Sequence, residues 1–176
     1  MTAPRRNLEV KARCTDLAAV RARITTLGAR LDGVQDQIDT YFHVPHGRLK
    51  LREIAGQPAV LIAYERADAA QVRASDYYLI PAPEPAVLKA GLAATLGVRG
   101  VVSKRREVHL WHNVRIHLDE VADLGTFIEF EAVLNGDIDE ADSQRYVNEL
   151  VGALALDQTS FLSQSYAEMA CHIPGG

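Results

Sequence analysis

The sequence has little of what several common classes of protein require. Only two cysteines occur in 176 residues, Cys14 and Cys171, which argues against a disulfide framework and fits a reducing compartment. The first residues are not followed by the apolar core of a signal peptide, and no apolar run reaches membrane-spanning length. We therefore expect a cytoplasmic protein without a membrane partner.

The sequence also lacks the short motifs of several enzyme families. It contains no glycine-rich phosphate loop of the Walker or dinucleotide type, and neither cysteine lies in a nucleophile motif. Four histidines do not have the spacing of a zinc site, and we expect them at the surface or in turns: His43, His46, His109 and His112. The net charge of -4 argues against a general nucleic-acid binder, although it is compatible with a local cationic pocket. Any phosphate chemistry must therefore depend on side chains carried by strands.

The order of the predicted elements is typical of an α+β fold. A chain of this length fits one domain spanning residues 1–176. Hydrophobic periodicity and turn residues predict helices at about 17–27, 85–96, 142–154 and 163–171. They predict strands at about 7–14, 34–44, 48–54, 59–66, 72–81, 99–111, 112–121 and 126–135. This order favours a largely antiparallel sheet over repeating βα units.

Charge on alternate residues of these strands is the most informative pattern in the sequence. Successive side chains of a strand point to opposite faces, so Glu9 and Lys11 share one face while Leu8 and Val10 share the other. The apolar faces must be buried, and helices packed against them would turn the charged faces toward each other. A sheet of about eight strands closes into a barrel just wide enough for a small ligand.

The charged faces contain a cationic set and a smaller carboxylate set. A triphosphate needs several cations converging from different directions, and these are available from Lys11, Lys50, Arg52, Arg66, Lys104, Arg106 and Arg115. Spacing alone leaves a second interpretation open at equal weight, in which these are solvated strand faces. Glu129 and Glu131 share one face and would lie toward Glu9 if the first and last strands are neighbours. Carboxylate oxygens suit Mg²⁺ or Mn²⁺.

Taken in order, these segments resemble the CYTH domain, or triphosphate tunnel metalloenzymes, a family of class IV adenylate cyclases and thiamine, inorganic and RNA triphosphatases. The resemblance runs from Asn7 to Tyr166. Asn7-Leu-Glu9-Val-Lys11 resembles the family's amino-terminal Glu-x-Glu-x-Lys signature. Later strands of the family are matched by Gln37-Ile-Asp39-Thr-Tyr41-Phe42, Leu49-Lys50-Leu51-Arg52, Lys104-Arg-Arg106, Arg115-Ile-His-Leu-Asp119 and Glu129-Phe-Glu131. Ser165-Tyr166 is similar to the closing segment of the cyclase-like branch.

The resemblance implies an eight-stranded antiparallel tunnel, with helices packed outside, that binds a triphosphate and one or two divalent metal ions, Mg²⁺ or Mn²⁺. The implied metal ligands are Glu9, Glu129 and Glu131, with Asp119 near them. The implied phosphate-binding residues are Lys11, Lys50, Arg52, Lys104, Arg106 and Arg115. Within this set, a catalytic role is implied for Lys11, Lys104, Arg106 and Arg115.

Two positions depart from the family pattern. Asn7 replaces the first glutamate of the signature, so we expect weakened or altered metal binding rather than its loss. Tyr64-Glu65-Arg66 stands where the family often has a lysine, and we assign substrate binding there to Arg66. Both substitutions bear on the choice of substrate or metal.

The resemblance favours a class IV adenylate cyclase-like enzyme that converts ATP to cyclic AMP and pyrophosphate. A triphosphatase acting on inorganic, thiamine or nucleoside triphosphate is the first alternative, since the same charged tunnel supports either reaction. A non-catalytic module that binds a nucleotide or polyphosphate is the second. In each case the expected partner is a small triphosphate molecule, with no nucleic acid and no membrane, and a homodimer is left open.

Overall fold

Eight antiparallel strands form a closed barrel in the computed structural model, which describes residues 4–134 and 138–170. The strands are β1 (Arg5–Arg13), β2 (Arg30–Phe42), β3 (Arg48–Ile54), β4 (Ala59–Arg66), β5 (Arg73–Ala82), β6 (Val98–Trp111), β7 (Val114–Val121) and β8 (Gly125–Leu134). They are hydrogen-bonded in the order β1-β5-β4-β3-β2-β6-β7-β8, and β8 pairs with β1 to close the barrel. The predicted eight-stranded antiparallel barrel is confirmed.

Four helices flank the barrel in the described parts of the chain: α1 (Leu17–Thr26), α2 (Pro85–Leu96), α3 (Glu140–Ala153) and α4 (Tyr166–Ala170). The Asp16 side chain accepts a hydrogen bond from the Ala19 backbone N–H at 2.8 Å and so begins α1 where the sequence predicts. Asp139 caps α3 in the same way. None of these helices has the length and apolar composition needed to cross a membrane.

Two elements differ from their predicted bounds by more than two residues at one end. Strand β2 begins at Arg30, earlier than expected, because Arg30 and Leu31 continue the pairing with β6 beyond an irregularity before Gly33. The predicted last helix is shorter and follows a separate 3-10 turn at Gln158–Ser160. Residues 135 and 171, at the ends of the predicted last strand and last helix, lie outside the described residues, and Cys171 does too.

The helices cover apolar outer faces on two sides of the barrel, whereas Val34 and Ile38 of β2 and Val101 of β6 are exposed. Helices α1 and α3 contribute Ile24, Val147 and Leu150 to a cluster of buried residues that includes Val10 of β1 and Phe130 of β8. On another side, residues of α2 pack against Leu51 and the neighbouring buried side chains of the barrel. Because the apolar faces are buried outside, the alternate charged residues of the same strands point into the barrel.

The two ends of the barrel differ. Helix α4 lies across one end, where Tyr166 packs with Tyr41, Val102 and Phe127 and is almost fully buried. At the opposite end, which we call the mouth, the barrel is open and Leu79 is 41% exposed. The strands therefore enclose a space that is more accessible to solvent at the mouth than beneath α4.

Candidate active site

A cavity of about 470 Å³ occupies the barrel interior, within the size range of small-molecule sites. All eight strands contribute side chains to its wall, and Ser165 and Tyr166 contribute from the chain at α4. The structure brings ten of the predicted site residues to this wall: Glu9, Lys11, Lys50, Arg52, Arg66, Lys104, Arg106, Arg115, Glu129 and Glu131. The eleventh, Asp119, is completely buried behind two of them.

Pairing between the first and last strands sets the carboxylates opposite one another. Glu9 of β1 is the register partner of Glu131 of β8, and Lys11 is the partner of Glu129. This pairing confirms the expectation that Glu129 and Glu131 lie toward Glu9. A one-residue slip would turn all of these side chains outward, so the apolar outer faces also fix the position of the charged set.

Asp119 holds two cations in place near α4. Its carboxylate accepts a bidentate pair of hydrogen bonds from Arg106, at 2.7 and 2.6 Å, and a weaker one from Lys104 at 3.4 Å. The Tyr166 hydroxyl donates to the same carboxylate at 2.8 Å. Burial alone would raise the pKa of Asp119, but the charges of Arg106 and Lys104 hold it well below its usual range. Asp119 is therefore a carboxylate that orients cations.

Burial makes Lys104, which lies beside Asp119, easier to deprotonate. Desolvation and the nearby Arg106 guanidinium lower the pKa of Lys104 to about 7, despite the opposing effect of Asp119. A bound polyanion would reverse this effect by favouring the charged amine. Lys104 is thus a group whose charge depends on what occupies the cavity.

Asp39, toward the end of β2, is a second buried carboxylate that orients cations. It accepts hydrogen bonds from Arg52 at 2.8 and 2.7 Å and from Lys50 at 3.0 Å. Burial would raise the pKa of Asp39, but Arg52 and Lys50 hold it well below the usual value. Desolvation and the Arg52 charge lower the pKa of Lys50 to about 8. The sequence reasoning gave Asp39 no role, although it shares a face with Gln37 and Tyr41.

Glu129 contacts polar residues of three strands. It accepts a hydrogen bond from Arg106 at 2.7 Å and lies 3.6 Å from the Lys11 amine and 3.4 Å from Nδ1 of His117. Burial opposes ionisation of Glu129, yet Lys11 and Arg106 hold its pKa well below the usual value. Burial and the Arg106 charge lower the pKa of His117, which favours a neutral imidazole. These contacts place a negative charge at the centre of the cationic set.

The remaining two carboxylates have different neighbours. Glu9 accepts hydrogen bonds from Arg66 at 2.5 Å and from Arg73 at 3.4 Å. Glu131 accepts one from Arg115 at 3.3 Å and a second from the Asn7 amide. The amide oxygen of Asn7 is buried and has no hydrogen-bond partner. Asn7 therefore presents an unsatisfied oxygen beside a carboxylate.

These oxygens fit a magnesium-type ion that shares its coordination with a ligand. No group of three or more His, Cys, Asp or Glu side chains within residues 4–134 and 138–170 is arranged to hold a metal by itself. Mg²⁺ usually takes only one or two carboxylates and completes its octahedron with phosphates and water. Glu9 and Glu131 face each other across paired strands, and the free Asn7 oxygen lies beside Glu131. The donor set therefore suits an ion that arrives with a phosphate.

Sequence reasoning missed several charged and aromatic residues of the cavity. His117 lies between Arg115 and Asp119 on the same face of β7, so alternation alone was enough to find it. Arg73, at the start of β5, contacts the cavity residue Glu9 without lining the cavity itself. It has no charged neighbour at alternate spacing, so only the pairing with Glu9 reveals it. Tyr41, Tyr64 and Tyr166 also line the cavity.

The expectation that His109 lies at the surface or in a turn was wrong. His109 is buried on β6, where Nε2 lies 3.5 Å from a carboxylate oxygen of Glu107. The outer face of β6 is covered at this point, since Arg21 of α1 also binds Glu107.

A closed barrel whose interior combines lysines, arginines and carboxylates defines a class of protein built to bind small polyanions. Residues 5–166 match the model of the CYTH domain, and the chain belongs to the CYTH family. Among curated proteins, none matches the sequence.

Solved structures share the fold at low sequence identity. The PH1012 protein of Pyrococcus horikoshii superposes with a TM-score of 0.78 at 23% identity, covering 92% of this chain and 98% of that one. A protein of Vibrio parahaemolyticus provisionally named as an adenylate cyclase gives 0.72 at 19%, covering 94% and 97%. The S. pombe RNA triphosphatase Pct1 gives 0.50 at 7%, covering 89% and 82%. These similarities establish the fold.

Proposed function

We propose that the protein is a metal-dependent enzyme that acts on a triphosphate inside the barrel. The observation that carries this proposal is the convergence of seven lysines and arginines on one cavity: Lys11, Lys50, Arg52, Arg66, Lys104, Arg106 and Arg115. Solvated strand faces, the competing interpretation from the sequence, do not describe them, since these side chains point inward. A chain of three phosphates supplies enough oxygens to bind cations from every side of the cavity.

Buried carboxylates keep these cations in position before any ligand arrives. Asp39 orients Arg52 and Lys50, and Asp119 orients Arg106 and Lys104. Donors that are already oriented need little reorganisation when charge develops on a phosphate, which is the main source of electrostatic catalysis. In the proposal, Lys11, Lys104, Arg106 and Arg115 stabilise the developing charge, while Lys50, Arg52 and Arg66 hold the phosphate chain.

Glu9, Glu129 and Glu131 would hold Mg²⁺ or Mn²⁺, and the free oxygen of Asn7 would add a neutral ligand. When bound, such an ion neutralises negative charge on phosphate oxygens and helps to orient the reacting groups. The implied role of Asp119 as a further ligand stays a prediction, and its observed contacts are with Arg106, Lys104 and Tyr166.

Of the two reactions, we favour cyclisation of ATP. In that reaction the ribose 3′-oxygen forms a bond to the α-phosphorus, and the bond from this phosphorus to the bridging oxygen of the β-phosphate breaks. Pyrophosphate leaves, and the hydroxyl proton passes to solvent. The fold shared with the Vibrio protein supports this choice. A triphosphatase, in which water attacks the γ-phosphorus, is the second candidate, supported by the fold shared with Pct1.

Phosphorus NMR of the products separates the candidates. ATP, thiamine triphosphate and tripolyphosphate are each incubated with the protein and Mg²⁺ or Mn²⁺. We expect cyclic AMP and pyrophosphate from ATP, whereas orthophosphate indicates a triphosphatase. Tight binding of a triphosphate without turnover would instead establish a binding module, the alternative that Asn7 keeps open.

A pair of glutamate variants tests the metal assignment. Glu131→Ala should abolish turnover and metal dependence, while Glu65→Ala, on the exposed outer face of β4, should leave both unchanged. Full activity of Glu131→Ala would refute the assignment.

A further inference from the structure

The chain reaches the end of the barrel opposite the mouth through residues 161–170, which we call the α4 segment. The Leu162 backbone N–H donates to the carbonyl oxygen of Lys11 at 2.9 Å, and the Arg73 guanidinium donates to the Leu162 carbonyl oxygen at 3.0 Å. These bonds tie the α4 segment to β1 and β5. Because Lys11 also lines the cavity, the α4 segment is attached to the backbone of a proposed site residue.

Ser165 and Glu168 form a capping box that begins α4. The Glu168 N–H donates to the Ser165 hydroxyl at 3.3 Å, and the Glu168 carboxylate accepts a hydrogen bond from the Ser165 N–H at 2.7 Å. The same carboxylate pairs with Arg48 at 3.1 Å and with Arg99 at 3.3 Å. Burial opposes ionisation of Glu168, but the Ser165 hydrogen bonds and Arg48 lower its pKa to about 2. The charged carboxylate therefore holds α4 against β3 and β6.

The aromatic ring of Tyr166 faces two ammonium groups of the cavity. Nζ of Lys11 lies over this ring at 3.7 Å from its centroid, and Nζ of Lys104 lies at 4.9 Å. Both lysines are only 6% exposed, and a cation over an aromatic face is attracted more strongly when water is excluded. The ring therefore stabilises the charged form of both lysines and restricts where their ammonium groups lie.

The hydroxyl of the same side chain acts on a third cation. Tyr166 donates to the Asp119 carboxylate at 2.8 Å, and this carboxylate receives the bidentate pair of hydrogen bonds from Arg106. Tyr166 therefore contacts two of the four cations assigned to developing charge, Lys11 and Lys104, and helps to orient Arg106 through Asp119.

We propose that Tyr166 is a positioning residue of the active site and that docking of the α4 segment completes the cationic set. The phosphate chain would contact the lysines and Arg106, while Tyr166 holds them from behind. This inference rests on the proposed function, because the cations must act on a phosphate chain. A small displacement of such groups costs a large part of their effect on a reaction.

A series of ring-fluorinated side chains at position 166 tests this inference. Tyr166→Phe keeps the ring and removes the hydroxyl, and phenylalanines with one, two and three ring fluorines then weaken the negative face of the ring at nearly constant shape. With Mg²⁺ and each triphosphate, kcat/KM should fall stepwise along the series, by about twofold to thirtyfold in total. The Tm should stay constant from Tyr166→Phe onward. A side chain that only fills space would give no such trend.

Calorimetric titration with tripolyphosphate in EDTA repeats the series without turnover, and the affinity should also fall stepwise. Tyr146→Leu is the matched control, since Arg145 lies over the Tyr146 ring at 4.6 Å and this tyrosine of α3 does not line the cavity. We expect it to change neither kcat/KM nor affinity.

The possible outcomes separate the inference from the proposed function. Turnover by the wild type without a fluorine-dependent trend in kcat/KM or in affinity would overturn the role of Tyr166 and leave the proposed function intact. Binding of tripolyphosphate without turnover of any triphosphate would refute the proposed function, and the affinity series would then decide whether Tyr166 positions the cations. Failure of the wild type to bind any triphosphate would refute both.

Discussion

Replacing Asp39 by asparagine tests whether the buried carboxylates hold the cations of the cavity. Asp39 is 1% exposed and receives three hydrogen bonds from Lys50 and Arg52. The amide side chain of the Asp39→Asn variant would keep the shape but carry no charge, so two positive groups would remain close together without their counterion.

The expected loss of stability is large. Removing one partner of a buried ion pair costs about 3–5 kcal/mol. The Lys50 and Arg52 side chains retain 13% and 19% exposure to the cavity, so we expect a value near the lower end, about 3 kcal/mol. For a chain of this size that corresponds to a fall in Tm of about 6–12 °C. A bound triphosphate supplies the missing negative charge, so saturating tripolyphosphate should recover part of the loss.

Urea unfolding between pH 3 and pH 8 measures the loss of stability and shows whether it comes from the charge of Asp39. The pKa of Asp39 is lowered in the folded state, so its contribution is complete above the unfolded value of about 3.9 and is lost as the pH falls further. The difference between wild type and Asp39→Asn should therefore be constant from about pH 5 to pH 6, shrink below about pH 4, and shrink again toward pH 8, where Lys50 loses its proton. Asp76→Asn is the control, since Asp76 forms a half-exposed pair with Arg6 at 3.8 Å and should cost less than about 1 kcal/mol. Equal losses in the two variants, or no recovery with tripolyphosphate, would refute the reasoning.

Three further predictions follow from individual contacts in the cavity. The pKa of Lys50 is lowered to about 8, so the affinity for tripolyphosphate, measured by calorimetry, should fall as the pH rises from 7 to 9. Lys50→Arg should flatten this pH profile, because arginine stays charged. Identical profiles of the two proteins would contradict the prediction. Asn7→Asp places a carboxylate beside Glu131, so thermal unfolding should show a lower Tm without metal and a larger rise in Tm with Mg²⁺. An unchanged response to Mg²⁺ would count against Asn7 as a ligand. Tyr166→Phe removes the hydrogen bond to Asp119 and should cost about 1 kcal/mol in urea unfolding; a neutral result would mean that the hydroxyl contributes nothing to α4.

The sequence predicted the barrel because alternation and turn residues are local signals. Glu9 and Lys11 were found inside for the same reason, since every second residue of a half-buried strand shares a face. Asp39 was overlooked because its importance depends on the register with Arg52, and register joins segments that are distant in the chain.

Helix α4 has a consequence for the order in which products leave. Tyr166 beneath it is 2% exposed, whereas Leu79 at the mouth is 41% exposed, so the interior is more accessible to solvent at the mouth. In the proposed cyclisation, with the phosphate chain held by Lys104 and Arg106 beside Tyr166, a cyclic nucleotide would stand between pyrophosphate and the mouth. If the protein cyclises ATP as proposed, the cyclic product would leave first and pyrophosphate last. Under the proposed function, pyrophosphate should therefore inhibit competitively with ATP.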